Sequence, residues 1–164
     1  MSVKKQRMAY AAFLIDNNKP KMAKQLLISH CKEDHPKSLM LMGRVHESQN
    51  NYDDAFRCYS NSYNHGFYPA AIPLAKCYLN GTGVDYHVVE AVRILESALD
   101  HVTDAYFELG LIYVKYKSSK CDSIFRQGKR KGCVKCKQYL KKQQQRRPSL
   151  NKLFNILCQA FGTS

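Results

Sequence analysis

Two cysteines with metal-ligand spacing are the first candidates for chemistry in this sequence. Cys133 and Cys136 are separated by two residues, as thiolate ligands of zinc often are. A structural zinc site needs four ligands; Cys121 could supply a third, and no fourth is evident. The seven cysteines are odd in number and irregularly spaced, which does not fit a disulfide framework. We therefore expect reduced thiols, several of them packed in helix faces, and no metal.

The other side chains of catalytic type form no recognisable constellation. The six histidines lie near expected helix ends or turns and form no H-E-x-x-H motif. The sequence also contains no P-loop, no G-x-S-x-G motif and no paired carboxylates with an obvious role. We therefore predict no enzymatic activity and no cofactor. Catalysis by a cysteine and a histidine that only folding brings together is the enzymatic alternative left open.

The positive charge is concentrated in one quarter of the chain. The net charge is +13, yet residues 1–110 carry 12 basic and 12 acidic side chains and are neutral. Residues 111–147 carry 13 basic side chains and a single acid, Asp122. Such asymmetry indicates an acidic or polyanionic partner. We define the basic surface as Lys129, Arg130, Lys131, Lys135, Lys137, Lys141, Lys142, Arg146 and Arg147.

Several interpretations fit the basic surface. It could contact an acidic protein surface, or it could bind RNA or DNA phosphates with an affinity that falls steeply with salt. Bases would then stack on the interleaved rings of Tyr113, Tyr116, Phe125 and Tyr139. Residues 129–131, or 141–142 together with 146–147, also resemble a nuclear import signal. Alternatively, the charges form a solvated helix face that keeps the protein soluble.

Ser149 is a candidate phosphorylation site. It follows Arg146-Arg147-Pro148, which resembles the target sequence of a basophilic kinase. A phosphate at this position would lie at the start of a predicted last helix, where the helix dipole favours negative charge. Plain N-capping of that helix by Ser149 is the interpretation that we favour.

Small residues recur at a nearly constant interval and indicate stacked helix pairs. One series, Ala11, Gly43, Ala75 and Gly110, has steps of 32, 32 and 35 residues; a second, Ala23, Ala55, Ala91 and Ser123, has steps of 32, 36 and 32. A period in this range is typical of helical repeats. The pattern predicts helices at about 4–17, 21–31, 38–48, 52–64, 70–79, 88–101, 103–116, 120–131 and 134–145. After Pro148, an apolar stripe from Leu150 to Phe161 predicts a capping helix.

The third unit carries the clearest resemblance to a known family. Residues 71–84 read Ala-Ile-Pro-Leu-Ala-Lys-Cys-Tyr-Leu-Asn-Gly-Thr-Gly-Val. This resembles the Sel-one-like branch of the tetratricopeptide repeat superfamily, in which a small residue and a tyrosine precede a G-x-G-V turn. The second unit, from Gly43 to Tyr59, resembles an ordinary tetratricopeptide repeat with its shorter turn. The resemblance implies a concave groove formed by the first helices, which holds a peptide or helix. The implied lining of this concave groove is Met40, Arg44, Ile72, Lys76, Phe107 and Leu111.

These observations predict an all-α superhelical array of antiparallel helix pairs, an α-solenoid, with a C-terminal capping helix. We expect one domain over 1–164, with repeats at about 4–36, 38–69, 70–102 and 103–132, then the basic helix and cap at 133–164. The predicted function is a non-enzymatic adaptor or scaffold for a protein partner with an acidic surface. An RNA- or DNA-binding repeat protein is the first alternative, and a small inhibitor or chaperone that sequesters one target is the second.

The sequence also favours a location inside the cell. No stretch approaches the roughly 20 apolar residues of a membrane span, and the first residues lack the apolar core of a secretory signal. We therefore expect a cytoplasmic protein that makes no contact with a membrane, with a nuclear location as the alternative. The oligomeric state stays open.

Overall fold

The computed structural model describes residues 3–31 and 35–146, and this part of the chain is helical with no strand. The helices are α1 (Val3–Asp16), α2 (Pro20–Cys31), α3 (Pro36–Ser48), α4 (Tyr52–Asn64), α5 (Ala71–Asn80), α6 (Val88–Ser97), α7 (Thr103–Lys115), α8 (Cys121–Arg130) and α9 (Val134–Arg146), and a short 3-10 turn (Tyr68–Ala70) precedes α5. The nine helices predicted before Pro148 are confirmed, except that α6 ends at Ser97 instead of near residue 101. No helix in the described ranges is both long and apolar enough to span a bilayer.

The helices pack as pairs, and the pairs stack in chain order. The helices α1 and α2, α3 and α4, α5 and α6, and α7 and α8 pack against each other. Each second helix also contacts the first helix of the next pair, so that α8 packs against α9. First helices contact one another as well, in the combinations α1 with α3, α5 with α7, and α7 with α9. This arrangement is the predicted α-solenoid.

The small residues of the first helices make room for large side chains of the second helices. A Cβ atom at Gly43 would lie 2.5 Å from Cε1 of Tyr59, and one at Gly110 would lie 2.5 Å from Cε1 of Phe125. Both rings are fully buried. Because only a glycine leaves this space, the repeated small residues bring the two helices of a pair close together.

The assignment of Ser123 as the last member of the second series of small residues is wrong. Ala23, Ala55 and Ala91 are all buried, whereas Ser123 is exposed. In the first three pairs a large buried residue follows the alanine by four positions, as in Ala55 and Tyr59. Phe125 is the large buried residue of the fourth pair, which places Cys121 rather than Ser123 at the small position.

The G-x-G-V turn of the third unit depends on left-handed backbone angles. Gly81 has φ +66° and ends α5, and Gly83 has φ +71°. A Cβ atom at Gly83 would lie 2.6 Å from the carbonyl carbon of Tyr52, at the start of α4. The turn therefore packs directly on the preceding pair, which only glycine permits at this position.

Two hydrophobic clusters form the core of the described ranges. The smaller cluster joins α1, α2 and α3 around Leu27 and Val45, and the larger cluster runs from α4 to α9 around Tyr59 and Phe125. Met40 packs against both clusters. The capping helix predicted after Pro148 lies outside the described residues.

Candidate functional site

The two cations of the predicted concave groove form ion pairs with neighbouring first helices. Nη2 of Arg44 lies 2.5 Å from Oδ1 of Asp16 on α1, and Nζ of Lys76 lies 3.2 Å from Oε1 of Glu108 on α7. A third pair joins α7 to α9, where Nζ of Lys135 donates to Oδ2 of Asp104 at 2.7 Å. These charges link successive repeats along the array.

Three of the four apolar groove residues are covered in part by the protein itself. Met40, Ile72 and Phe107 are half-buried and pack against the larger cluster. The ring of Phe107 meets the rings of Phe125 and Tyr139 edge-on, with centroids 6.1 and 6.4 Å apart. Leu111, one turn after Phe107, is exposed. Among these four side chains, Leu111 is the most accessible apolar contact.

The basic surface divides into paired and unpaired cations. Lys135 bonds Asp104, and this hydrogen bond raises the pKa of Lys135. Nζ of Lys131 lies 3.7 Å from Oδ1 of Asp100. Among the described residues, no carboxylate lies within ion-pair distance of the other mapped cations, which are Lys129, Arg130, Lys137, Lys141 and Lys142. The side chain of Arg146, the whole of Arg147 and the candidate phosphorylation site Ser149 lie outside the described side chains.

Most of the unpaired cations surround a cleft of about 960 Å³ between the end of α7, the helix α8 and the helix α9. We call it the α8–α9 cleft. Its lining contains six cations and one carboxylate, and the rest of it is polar or apolar. The lining is Val114, Lys117, Ser118, Cys121, Asp122, Arg126, Lys129, Arg130, Lys137, Tyr139, Leu140, Lys141, Gln143 and Gln144.

An aromatic stack fixes the relative position of α8 and α9 beneath this cleft. The rings of Phe125 and Tyr139 stack with centroids 4.1 Å apart and an interplanar angle of 21°. Stacked aromatic pairs contribute roughly 0.5–1.5 kcal/mol beyond the area that they bury. Tyr139 and the next residue, Leu140, then face the cleft as half-buried side chains.

The basic surface defined from the sequence contains four of the six cleft cations but omits Lys117, Arg126 and the other residues of the cleft walls. Ser118, Leu140, Gln143 and Gln144 belong to no predicted surface, although all four line the cleft. A signal was present in the cation spacing, since Arg126 and Arg130, and likewise Lys137 and Lys141, stand four residues apart. Residues at this spacing share one face of a helix.

The aromatic residues on which bases could stack are either buried or in contact with other residues of the protein. Phe125 is buried, and Tyr139 packs one face on it. Tyr113 donates a hydrogen bond to Glu96 at 3.1 Å, and its pKa is raised by burial and by that bond. Tyr116 is exposed, but its hydroxyl is hydrogen-bonded to Tyr86.

The cysteine pair is buried rather than open. Cys133 and Cys136 are both buried, and the amide of Cys136 donates to Sγ of Cys133 at 3.3 Å. Burial and the hydrogen bond to Cys133 raise the pKa of the Cys136 thiol to about 12. Cys121 lies apart from the pair in the cleft wall. No group of three metal-ligating side chains occurs within the described ranges.

The comparison with solved structures identifies the class of this fold. The chain resembles the crystal structure of a Sel1 repeat protein from Oxalobacter formigenes with a TM-score of 0.70 and 17% identity. The match covers 85% of this chain and 62% of that chain, so this chain spans less than two thirds of that protein. The resemblance to the Sel-one-like (Sel1) repeat is therefore confirmed at the level of the fold. No protein-family model and no curated protein sequence matches the chain.

Proposed function

We propose that this chain is a non-enzymatic scaffold that binds a protein partner with an acidic surface. The partner would contact the concave groove near Leu111 and the unpaired cations of the basic surface. One observation carries this proposal: cations without a carboxylate within ion-pair distance, among the described residues, gather at one end of a stacked array. Stacked helical repeats provide extended surfaces for such contacts.

The burial of three of the thiols supports a non-enzymatic role. Burial raises the pKa of Cys58, Cys77 and Cys136. Because the thiolate is the nucleophile, these three groups react poorly at neutral pH. A binding function needs no activated thiol, whereas the Cys–His alternative does.

A protein partner fits the surface better than a nucleic acid does. Binding of single strands without sequence preference combines a cationic groove with aromatic faces on which bases stack. Here Phe125 is buried and one face of Tyr139 is occupied. The cations are exposed, whereas Phe125 is buried and Tyr113 and Tyr139 are only partly exposed, which favours carboxylates over stacked bases as partners of the cations.

Capture of a partner by the full-length chain, followed by reconstitution with the purified partner, tests the proposal. We expect Leu111→Glu and the double variant Lys129→Glu/Arg130→Glu each to weaken the reconstituted complex, because they change accessible groups of the two surfaces. Val89→Glu is the matched control for Leu111→Glu, since Val89 is an exposed apolar residue on α6. Retention of the partner by both surface variants would refute the proposal. A salt-sensitive gel shift with RNA or DNA that Lys129→Glu/Arg130→Glu abolishes would support the nucleic-acid alternative instead.

A further inference from the structure

The walls of the α8–α9 cleft carry cations on facing elements. Arg126, Lys129 and Arg130 line it from α8, while Lys137 and Lys141 line it from α9. Lys117, two residues after the end of α7, adds a sixth cation. Like charges gathered around one cleft repel one another and raise the local concentration of an anionic ligand.

The described residues supply almost no negative charge to this site. Asp122 is the one carboxylate in the cleft lining, in the first turn of α8. Among the described residues, the ion pairs of this region involve Lys131 and Lys135, which lie outside the lining. The six cleft cations therefore offer unused charge to an external ligand.

The cleft also offers an apolar contact. Val114 is 41% exposed at the end of α7, and the half-buried Leu140 lies in the α9 wall. Leu111, one turn before Val114 on α7, extends this apolar contact toward the concave groove. A ligand that carries charge alone would leave these side chains in water.

We propose that the α8–α9 cleft binds an acidic amphipathic segment of the partner protein. Glutamate or aspartate side chains of the segment contact the cations of α8 and α9, and an apolar side chain packs on Val114 and Leu140. A volume of about 960 Å³ lies at the upper end of the roughly 300–1,000 Å³ of ligand pockets, which suits several side chains of one peptide. This inference rests on the proposed function, because it names the segment by which the partner docks.

Fluorescence anisotropy with a labelled peptide tests the inference on the full-length chain. The probe is a glutamate-rich peptide with two leucines one helical turn apart. We expect Lys137→Glu/Lys141→Glu to raise its Kd by at least about tenfold, since it removes two favourable charge contacts and adds repulsion. The neutral variant Lys137→Gln/Lys141→Gln gives a smaller loss in the same direction, and circular dichroism checks that both variants fold.

The chain offers a matched control. Lys115 and Lys120 are also exposed, and neither residue belongs to the basic surface or lines the cleft. The variant Lys115→Glu/Lys120→Glu removes the same net charge and is expected to change the Kd by less than about threefold. A peptide whose leucines are replaced by glutamine is expected to bind more weakly, because it loses the contact with Val114 and Leu140.

Four results of the peptide assay would overturn the inference. The first two are no binding of the peptide by the unchanged protein, and equal losses of affinity in Lys137→Glu/Lys141→Glu and in the control variant. The other two are preferential binding of a mixed-sequence single-stranded oligonucleotide, and a gain in peptide affinity when Leu153→Ser/Phe154→Ser is introduced. The last result would assign the cleft to the chain's own C-terminal segment. If the partner is lost from Leu111→Glu but kept by Lys137→Glu/Lys141→Glu, the cleft inference fails while the proposed function stands. If no protein partner responds to either change, both fail.

Discussion

Replacement of Gly110 by alanine tests whether close approach of the helices in a pair holds this array together. The new Cβ would lie 2.5 Å from both Cε1 and Cζ of Phe125. Phe125 is fully buried and stacks on Tyr139, so its ring cannot withdraw without displacing α9. Overpacking of a core costs about 1–3 kcal/mol, and we expect the upper part of this range because two ring carbons are met at once. Alanine gains about 1 kcal/mol of helix propensity over glycine. The net loss of unfolding free energy is therefore about 1–2 kcal/mol.

Thermal unfolding followed by circular dichroism measures this loss. For a chain of this length, 1 kcal/mol corresponds to about 2–4 °C in Tm, so Gly110→Ala should lower Tm by about 2–8 °C. Phe125→Leu leaves space beside Gly110, and in that background Gly110→Ala should cost less, which a double-mutant cycle detects. A rise in Tm for Gly110→Ala alone, or an identical cost in both backgrounds, would refute the reasoning.

Three further changes follow from the structure. Gly83→Ala should lower the free energy of unfolding by more than about 2 kcal/mol, and Gly81→Ala by only about 1 kcal/mol. The reason is that a Cβ at Gly83 meets the backbone of α4, whereas the nearest atom to a Cβ at Gly81 is 3.7 Å away. Equal losses in urea denaturation would contradict this. Burial raises the pKa of Cys136 to about 12, so the unfolded chain loses its thiol proton first and stability should fall as pH rises from about 9 toward 12. Cys136→Ala should reduce that slope, and an unchanged slope would refute this assignment. Lys76→Ala should change Tm little, because its half-exposed pair with Glu108 is worth about 0–1 kcal/mol; a loss above 2 kcal/mol would contradict this.

The helices could be predicted from the sequence because their signals are local. Helix boundaries are indicated by individual residues, namely by the prolines at the starts of α2 and α3 and by the glycines at the end of α5. The end of α6 was predicted at His101 but lies at Ser97. Residues after Ser97 form a turn instead, in which the His101 ring stacks on Tyr68 at 3.8 Å. That contact joins distant parts of the chain, so a local pattern does not reveal it.

The candidate site was harder to predict because it depends on pairs of helices. Arg44 and Lys76 were assigned to a groove wall from family geometry, and the spacing to their partners Asp16 and Glu108 is 28 and 32 residues. That spacing is close to the repeat period, so the sequence did contain a signal for links between repeats. For the α8–α9 cleft, the sequence shows only the four-residue spacing of cations within each helix, and it does not show the contact between Phe125 and Tyr139 that brings the two helices together.

The distribution of carboxylates explains why, among the described residues, unpaired cations gather at this end of the array. Through residue 110, basic and acidic side chains are equal in number, and pairs such as Arg44 with Asp16 connect successive first helices. The last such pair, Lys135 with Asp104, uses an acid from α7. The helices α8 and α9 together contain eight cations, Lys135 among them, and one acid, so ion pairs between repeats cannot continue.

If the excess positive charge only kept the protein in solution, we would expect the cations to be dispersed, because repulsion between like charges falls with distance. Five of those eight cations instead line one cleft with Val114 and Leu140. Clustering raises the repulsion within the free protein, and an acidic segment in the cleft would relieve it. Two exposed lysines separate these explanations. If the charge serves solubility alone, reversal of Lys141 and reversal of Lys120 have equal effects on peptide binding, whereas a docking site makes the reversal of Lys141, which lines the cleft, the more damaging change.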